Sequence, residues 1–489
     1  MTKAYELYSK GFEYHKSGNL EEAEKLYKEA LEFDSKELNT LFMMANLKFQ
    51  QYRYPEAEKY ILSAISLTKN VQFYDLLTRI YIESKQYQQA IDSAIEGLQI
   101  EPANFELNFN IALALKNNKD YELSLKFYQR AEKLRPDLYL IPFNMSSVYF
   151  FLGEPIKSRE ALEKALSLEP NNDELKYFLS LAWFRERNYK KGFPLFESRQ
   201  AKKTATMFQK KQYPQAFLTA KEWNGEDISN KTVYLYYEAG FGDVIQYARY
   251  FPLLKERCGK LLFKPQQELL PLFEENSLGV DRFITFEDEN IEFDIYVSML
   301  SLPYILGLNE DNMFVSKDGY IKSNPKKKEI FKDKYFNTTK KKIGIKWQGN
   351  TASETDRVID IEAFLPLFDI QDVQIYSFQT GGGSEKLAQL AEKYSIIDIS
   401  SELKDFSDTA AALDNLDYVI CNDTSLLHLA GALRIPSYML LPFDYNWRWH
   451  SDLGHCDWYS SVKMYRKKDV PDWNYPIEEV IKDLKNNLK

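Results

Sequence analysis

The chain has 489 residues, of which 44% are hydrophobic and 28% charged, so it can build a packed core without disulfide or metal staples. The formal net charge of −9 argues against a general nucleic-acid binder, and no apolar run approaches the roughly 18 residues of a membrane span. The chain has three cysteines, Cys258, Cys421 and Cys456. A count that is both low and odd argues against a disulfide framework. Together with an N-terminus, MTKAYELYSK, that lacks an apolar stretch, they predict a cytoplasmic protein.

Small residues recur at a nearly constant interval along the first 200 residues. One series has spacings of 34, 33, 34, 34 and 34 and consists of Ala23, Ala57, Ala90, Ser124, Ser158 and Gly192. A second series follows seven residues later and includes Ala30, Ala64, Gly97, Ala131 and Ala165. Because close-packed helices leave little room at their contacts, this spacing predicts paired antiparallel helices. Prolines come after the second helix of three units, where a helix must stop: Pro102, Pro136 and Pro170.

This period resembles the tetratricopeptide repeat, whose length is about 34 residues. The resemblance covers residue 2 to about residue 200 in six units that keep phase. Such repeats stack into a superhelix with a concave face. We expect that face to bind a peptide, a protein or a glycan acceptor, although a structural spacer or a dimerisation surface is the alternative.

The second half alternates short strands with helices. Residues 201–230 form a connector without a clear period. The predicted strands are KTVYLYY, KLLFK, RFITF and FDIYV before the lysine-rich segment 322–342, and KIGIKW, VQIYSF, IIDIS, DYVIC and SYMLLPF after it. Strands separated by helices form parallel sheets, which bind ligands at their carboxyl ends. The chain is thus predicted to be α + α/β, with two Rossmann-like lobes at 231–335 and 336–489 after the repeats.

The first candidate motif runs from Glu238 to Asp243 between a strand and a helix. Gly240 and Gly242 allow a tight turn and a close approach of a ligand. Asp243 could accept a proton from a substrate hydroxyl, or it could merely cap its helix.

The second motif, CNDTSLLHLAGAL, begins at Cys421 and opens another helix. Backbone N–H groups at a helix start suit a pyrophosphate, and hydroxyls add further donors. One helical turn separates Thr424 from His428. The predicted ligand contacts here are Asp423, Thr424, Ser425 and His428, with capping as the alternative role of Asp423.

Two more strand ends carry polar or aromatic side chains. The predicted donor contacts here are Trp347, Gly349, Asn350 and Arg357 in the segment KWQGNTASETDR, and Gln379 and Thr380 in the segment QTGGG. An arginine can neutralise phosphate charge with its bidentate fork. Beyond a later strand, Trp447, Arg448 and Trp449 either form a wall of the cleft or pack the lobes together.

In this order, EAGFGDVIQYARYFPLL, IKWQGN, SFQTGG and NDTSLLHLAGALRIPSYMLLPFDYNWRW resemble bacterial proteins that join tetratricopeptide repeats to a glycosyltransferase family 9-like, heptosyltransferase-like domain. The resemblance implies a GT-B fold, a nucleotide-diphosphate sugar as co-substrate, inversion at the anomeric carbon, and neither a metal nor a cofactor. By position it implies that Asp243 is the base and that Arg357 and the block from Asp423 to His428 hold the donor. The acceptor would lie on the first lobe and the nucleotide sugar on the second.

Two other functions fit the same pattern. The repeats could be a scaffold attached to an inactive transferase domain. Alternatively, a GT-B frame could catalyse sugar-nucleotide epimerisation, which converts the donor without an acceptor.

Overall fold

The computed structural model describes residues 2–202, 210–288, 290–349, 357–384, 386–450, 455–468 and 472–488. The chain divides into two compact units, Met1–Ala182 and Trp183–Lys489, and each is described by itself. The predicted domain limits at residues 200, 230 and 335 stay predictions.

The N-terminal region is an all-helical tetratricopeptide superhelix, as the repeat spacing predicted. Its helices are α1 (Lys3–Lys16), α2 (Leu20–Phe33), α3 (Leu38–Gln50), α4 (Tyr54–Leu67), α5 (Val71–Glu83), α6 (Tyr87–Ile100), α7 (Phe105–Asn117), α8 (Tyr121–Leu134), α9 (Leu140–Phe151), α10 (Pro155–Leu168), α11 (Asp173–Arg185) and α12 (Tyr189–Phe196). Each repeat consists of one odd-numbered helix and the even-numbered helix that follows it.

The small residues lie where paired helices touch. Ala23, Ala57 and Ala90 are completely buried. A Cβ atom added to Gly97 would stand 2.5 Å from Leu107 Cδ1 and 2.9 Å from Tyr74 Cβ, so a larger residue does not fit without a shift. The repeated small residue therefore sets how closely the helices approach.

The turn inside each repeat passes through a left-handed backbone conformation. The residues with positive φ are Gly18, Tyr52, Lys85, Lys119, Gly153 and Arg187, which follow the same 34-residue interval. Glycine adopts this conformation without steric cost, whereas an L side chain there costs about 1–2 kcal/mol. Four of the six turns carry that cost, so the turn geometry is imposed by helix packing rather than by local preference.

The C-terminal region contains two sheets in which every paired strand is parallel. Its strands are β1 (Lys221–Glu222), β2 (Thr232–Tyr236), β3 (Lys260–Lys264), β4 (Arg282–Phe283), β5 (Ile295–Ser298), β6 (Lys341–Lys346), β7 (Val373–Ser377), β8 (Ile397–Asp398), β9 (Tyr418–Asn422), β10 (Ser437–Leu441) and β11 (Val462–Arg466). The first sheet has the order β1-β5-β2-β3-β4 and the second β11-β10-β9-β6-β7-β8. The prediction of parallel sheets is confirmed.

Helices between the strands cover both sheets. They are α13 (Pro214–Thr219), α14 (Phe241–Tyr247), α15 (Phe251–Lys255), α16 (Leu270–Glu275), α17 (Leu302–Ile305), α18 (Pro325–Phe331), α19 (Leu365–Phe368), α20 (Leu387–Tyr394), α21 (Phe406–Leu413), α22 (Ser425–Ala432) and α23 (Asn474–Asn487). Strand β10 is buried along its whole length, as expected for a parallel strand covered on both faces. Of the helices in the described part of the chain, none has the length and apolar character needed to span a membrane.

Each sheet reverses its strand order at one point. In the first sheet the chain runs outward from β2 and then returns to β5 on the other side of β2. In the second sheet it runs outward from β6 and returns to β9 on the other side of β6. The loops that leave neighbouring strands at such a point turn to opposite faces and open a crevice at the carboxyl ends. The loops after β2, β6 and β9 carry the candidate motifs.

Candidate active site

A cavity of about 630 Å³ lies within the unit Trp183–Lys489 and gathers most of the predicted site residues. The predicted residues that line it are Gly240, Gly242, Asp243, Gly349, Arg357, Thr380, Asp423, Thr424, Ser425 and His428. They arrive from loops that follow four different strands, β2, β6, β7 and β9. Lys346, Asn446 and Arg448 also line the cavity, although only Arg448 had been considered as a wall residue.

Asp243 lies in the first turn of α14 with both carboxylate oxygens engaged. Its Oδ2 accepts a hydrogen bond from the Gly240 backbone N–H at 3.2 Å, so the capping role is present. Its Oδ1 forms an ion pair with the guanidinium of Arg448. Each carboxylate oxygen has two lone pairs, so these contacts leave capacity for a further hydrogen bond. The Asp243 side chain is 26% exposed and faces the cavity.

Gly242 brings the N-terminal turn of α14 against α22. A Cβ atom at this position would stand 2.7 Å from Cδ2 of His428 and 3.5 Å from Cα of Ser425. Only glycine leaves room for the histidine ring here. The glycine loop after β2 and the helix after β9 therefore meet at His428.

His428 is held in a neutral, oriented state. Burial, followed by the charges of Arg448, Arg249 and Arg357, lowers the pKa of His428 well below its usual range. Its Nδ1 lies 2.9 Å from the hydroxyl of Tyr459. Gly431 makes room for the Tyr459 ring, because a Cβ atom there would stand 2.4 Å from that ring.

The other ring nitrogen of His428 lies on the side of Asp423, since Nε2 is 3.9 Å from its Oδ1. When the Tyr459 hydroxyl donates to Nδ1, Nε2 carries the hydrogen of the neutral ring. That N–H is then a neutral donor at the cavity.

Asp423 and Arg357 form an ion pair at the entrance of α22. Nη1 of Arg357 lies 3.3 Å from Asp423 Oδ2 and donates to the Asp423 carbonyl oxygen at 3.4 Å. Thr424 is the N-cap residue, and among the described residues its hydroxyl caps no backbone N–H of the helix. Asp423 thus binds the arginine beside the helix, and Thr424 and Ser425 line the cavity at the helix start.

Two predicted contacts lie behind the cavity wall. Trp347 is 1% exposed and donates from Nε1 to the Gly383 carbonyl oxygen. Gln379, also 1% exposed, accepts from the backbone N–H groups of Trp347 and Gln348 and donates to the Gly382 carbonyl oxygen at 2.8 Å. These bonds tie the loops after β6 and β7 together. A direct ligand contact of either residue stays a prediction, and Asn350 lies outside the described residues.

Lys346 is the last residue of β6 and was not singled out from the sequence. Its Nζ donates to Thr380 Oγ1 at 3.2 Å and to the Phe378 carbonyl oxygen at 3.4 Å. Burial lowers the pKa of Lys346 to about 8. Because neighbouring side chains of an extended segment point to opposite sides, the sequence indicates that only one of Lys346 and Trp347 faces the cavity, without telling which one.

Glu238, the first residue of the motif that ends at Asp243, is held by a largely buried network. Its carboxylate pairs with Arg199 and accepts from the Ser298 hydroxyl. Arg199 also binds Glu197 at 2.7 Å and the Ser301 hydroxyl at 2.7 Å. This network anchors the loop that leads to Asp243. Glu238 therefore acts as a structural partner of Arg199 in this arrangement.

The cavity carries more positive than negative charge. Its cationic side chains are Lys346, Arg357 and Arg448, and its carboxylates are Asp243 and Asp423. Each carboxylate is paired with an arginine. In the described part of the chain, no group of three or more His, Cys, Asp or Glu side chains is placed to hold a metal ion. The arrangement is suited to an anion.

The helical unit has a cavity of its own, of about 670 Å³, between α3, α5 and α7. Its walls include Asn46, Phe49 and Asn110, and the guanidinium of Arg79 lies 4.9 Å from the centre of the Phe49 ring. Asn110 donates to Asp75 at 2.8 Å. This mixture of aromatic, amide and charged groups can contact both the backbone and the side chains of a peptide.

Three segments of the chain, residues 7–37, 105–138 and 143–172, match the tetratricopeptide repeat family. The human protein O-mannosyl-transferase TMTC1 is 27% identical over 179 residues, which are 36% of this chain. The match spans only 20% of the length of that relative. Protein FlbA of Caulobacter vibrioides is 23% identical over 440 residues, which are 83% of this chain and 71% of FlbA.

Two solved structures are similar to part of the chain. MamA from Desulfovibrio magneticus RS-1 is 18% identical, with a TM-score of 0.34, over 35% of this chain and 99% of MamA. YrrB, described as a tetratricopeptide repeat protein with an unusual peptide-binding site, is 18% identical, with a TM-score of 0.33, over 35% of this chain and 89% of YrrB.

Proposed function

We propose that the two-sheet region is an inverting glycosyltransferase of the GT-B type that uses a nucleotide-diphosphate sugar. The observation that carries this proposal is the cavity in which Asp243 faces the start of α22, Arg357 and His428. One wall offers a carboxylate to an acceptor hydroxyl, and the other offers positive charge and donors to a diphosphate. The name of the human relative, a protein O-mannosyl-transferase, supports a transferase role more weakly.

In the proposed reaction, the acceptor oxygen attacks the anomeric carbon of the sugar while the bond from that carbon to the diphosphate breaks. Asp243 takes the acceptor's proton, and the nucleoside diphosphate leaves with the bonding electrons. Attack from the side opposite the leaving group inverts the anomeric carbon. The start of α22, Arg357 and the His428 N–H stabilise the charge that develops on the leaving group.

Arg448 gives this mechanism a specific requirement. The guanidinium of Arg448 lies against the carboxylate that is proposed to accept the proton. The Asp243–Arg448 pair has to loosen when substrates bind, and the phosphates of the donor are a competing anion for Arg448. The ion pair thus holds the Asp243 carboxylate in place until the donor arrives.

We further propose that the repeats recruit the acceptor or a partner protein. Tetratricopeptide repeats bind peptides or proteins, and the cavity between α3, α5 and α7 offers both amide and aromatic contacts. In this proposal, binding of a peptide by the repeats raises the local concentration of an acceptor carried on it.

The second candidate is a scaffold whose transferase domain is inactive. The observation in its favour is that both oxygens of Asp243 already have structural partners. Under this alternative the protein binds partners but does not consume a nucleotide sugar.

A panel of nucleoside diphosphates and nucleotide sugars, read out by thermal shift and then by calorimetry, tests the proposal. A ligand at a hundred times its Kd stabilises the folded protein by about 2.7 kcal/mol. Arg357→Ala and His428→Ala should each weaken binding of the best nucleoside diphosphate without unfolding the protein. Lys463→Ala, at an exposed lysine on β11, is the matched control. Unchanged affinity in both site variants would remove the donor pocket from the proposal.

A further inference from the structure

Lys346 is a buried cation whose neighbours do not neutralise it. Its side chain ends at the cavity, and the residue is only 8% exposed. Its two hydrogen-bond acceptors, the Thr380 hydroxyl and the Phe378 carbonyl, are both neutral. No carboxylate of the described residues forms an ion pair with it, since Asp243 and Asp423 are each paired with an arginine.

Burial of an ammonium group costs desolvation free energy unless a negative charge lies close to it. Removing a charge from water without a partner costs several kcal/mol, and the usual response is a shift of its pKa. The pKa of Lys346 is accordingly lowered to about 8 by burial. An anion in the cavity would remove this cost, so the surroundings of Lys346 favour a negatively charged ligand.

The strand order explains why Lys346 lies between the loops that follow β7 and β9. Strand β6 lies between β9 and β7, and Lys346 is in register with Cys421 of β9. The chain continues from β9 to the start of α22, and from β7 to Thr380. Lys346 therefore lies between the helix start at Ser425 and the hydroxyl of Thr380 at the switch point.

We propose that Lys346 is the charged anchor of the diphosphate, acting together with Thr380 and the first turn of α22. This inference rests on the proposed function, because the anion is taken to be the leaving group of the sugar donor. Arg357 and Arg448 each have a carboxylate partner in the structure, whereas Lys346 forms an ion pair with no carboxylate of the described residues. A diphosphate, with at least two negative charges, fits three cations better than a monophosphate or an uncharged nucleoside does.

The test compares Lys346→Met with the wild-type full-length protein. Methionine keeps the length of the side chain and removes a buried charge, so the melting temperature without ligand should not fall. Calorimetry is performed with ADP, GDP, UDP, CDP and dTDP, and then with the nucleoside of whichever diphosphate binds best. We expect the Kd of that diphosphate to rise at least about tenfold, as for the loss of one hydrogen bond to a charged group. The Kd of the nucleoside should change less than about twofold.

Lys341→Met is the control, since Lys341 is on the same strand but exposed and paired with Asp417. It should leave both affinities unchanged.

The pH dependence provides a second readout. Because the free-state pKa of Lys346 is about 8, its positive charge is present below that pH and is lost as the pH rises through it. The diphosphate affinity of the wild type should therefore fall between pH 7 and pH 9. Of the neighbouring groups, Cys421 has a pKa raised by burial to about 12 and His428 has a pKa lowered by burial, so neither changes its charge in this range. Lys346→Met should abolish that fall.

The outcomes of these measurements distinguish the role of Lys346 from the existence of the donor site. If a diphosphate binds wild type and Lys346→Met equally, the role of Lys346 is refuted and the proposed donor site stands. Equal losses for diphosphate and nucleoside would also refute it, since they would indicate a general packing role. If none of the five diphosphates binds the wild type, the donor site itself is refuted and this inference falls with it.

Discussion

Small residues have different structural roles in the helical array, residues 2–182, and in the two-sheet region, residues 221–466. In the array the same kind of contact recurs, with Ala23, Ala57 and Ala90 each buried between paired helices. In the two-sheet region Gly242 admits the ring of His428, and Gly431 admits the ring of Tyr459. In the array, the same contact between paired helices recurs in successive repeats. In the two-sheet region, each of these glycines makes room for one particular side chain near the cavity.

This difference predicts different consequences of substitution. A change in one repeat alters a contact that its neighbours also make, so stability falls while the repeat architecture persists. A change at Gly242 moves a group that lines the cavity, so ligand binding falls as well. The polar side chains differ in the same way, because Ser124 donates to the Ala112 carbonyl oxygen inside the array, while Lys346 forms an ion pair with no carboxylate in the described part of the chain.

The largest effect should come from Asp243→Asn. The amide keeps the capping contact with Gly240 but cannot accept the acceptor's proton, so turnover should fall by about 10²–10⁴-fold while donor affinity barely changes. Turnover, donor affinity and melting temperature are measured on the same preparation. Arg448→Met is the control for the ion pair. If both variants lose stability and neither loses turnover, Asp243 is a structural residue only.

The next largest effect is expected from two glycine substitutions that compare the two regions directly, Gly242→Ala and Gly97→Ala. Each substitution places a methyl group within 2.7 Å of a neighbouring side-chain atom, and such overpacking costs about 1–3 kcal/mol. Both variants should therefore unfold at a lower urea concentration. Only Gly242→Ala should also weaken nucleoside diphosphate binding, because it displaces His428. Normal affinity in Gly242→Ala would mean that the His428 position does not matter for the ligand.

A smaller effect is expected at the turns of the repeats. Lys119 is exposed and adopts a positive φ of 69°, so Lys119→Gly removes steric strain and should stabilise the protein by up to about 1 kcal/mol. Gly153→Ala, at the equivalent turn of the next repeat, should destabilise it by a similar amount. Urea unfolding gives both values. Opposite signs for the two variants are the expected result, and equal signs would contradict the common turn geometry.

The smallest effect, none at all, is expected from removal of divalent metals. In the proposed mechanism, the start of α22 together with Arg357 and Lys346 supplies the positive charge that a metal would otherwise bring to the leaving group. Turnover should therefore persist in EDTA. Loss of activity with EDTA and its return with magnesium or manganese would refute the metal-independent mechanism.

Much of the architecture could be predicted from local patterns. The 34-residue spacing identified the repeats, because helix packing repeats the same contact at the same position. Strands such as KLLFK were located by apolar runs between turns, and β3 occupies Lys260–Lys264. The short edge strand β1 and the strand β11 were not predicted, since Lys221–Glu222 is two residues long and Val462–Arg466 alternates only weakly.

The candidate site was predictable only in part. Strand ends can be found in a sequence, so Asp243, Thr424 and Thr380 were named and all three line the cavity. Which side chain at a strand end turns towards a ligand is a different question. Trp347 was chosen and lies in the core, whereas its neighbour Lys346 faces the cavity. Neighbouring side chains at the end of a strand point to opposite sides. The sequence does not tell which of these sides faces the cavity and which faces the core.

The sequence by itself determined the repeat period, the helix and strand alternation and the loops that carry polar residues, because each depends on neighbours within a few positions along the chain. The tertiary structure decided which of those residues meet. Asp243 pairs with Arg448, Gly242 admits His428, and Gln379 joins the loops after β6 and β7. Asp243 and Arg448 are 205 positions apart in the chain, and only the packing of both sheets brings them together. Such contacts depend on the strand order of each sheet, and no local pattern in the sequence encodes that order.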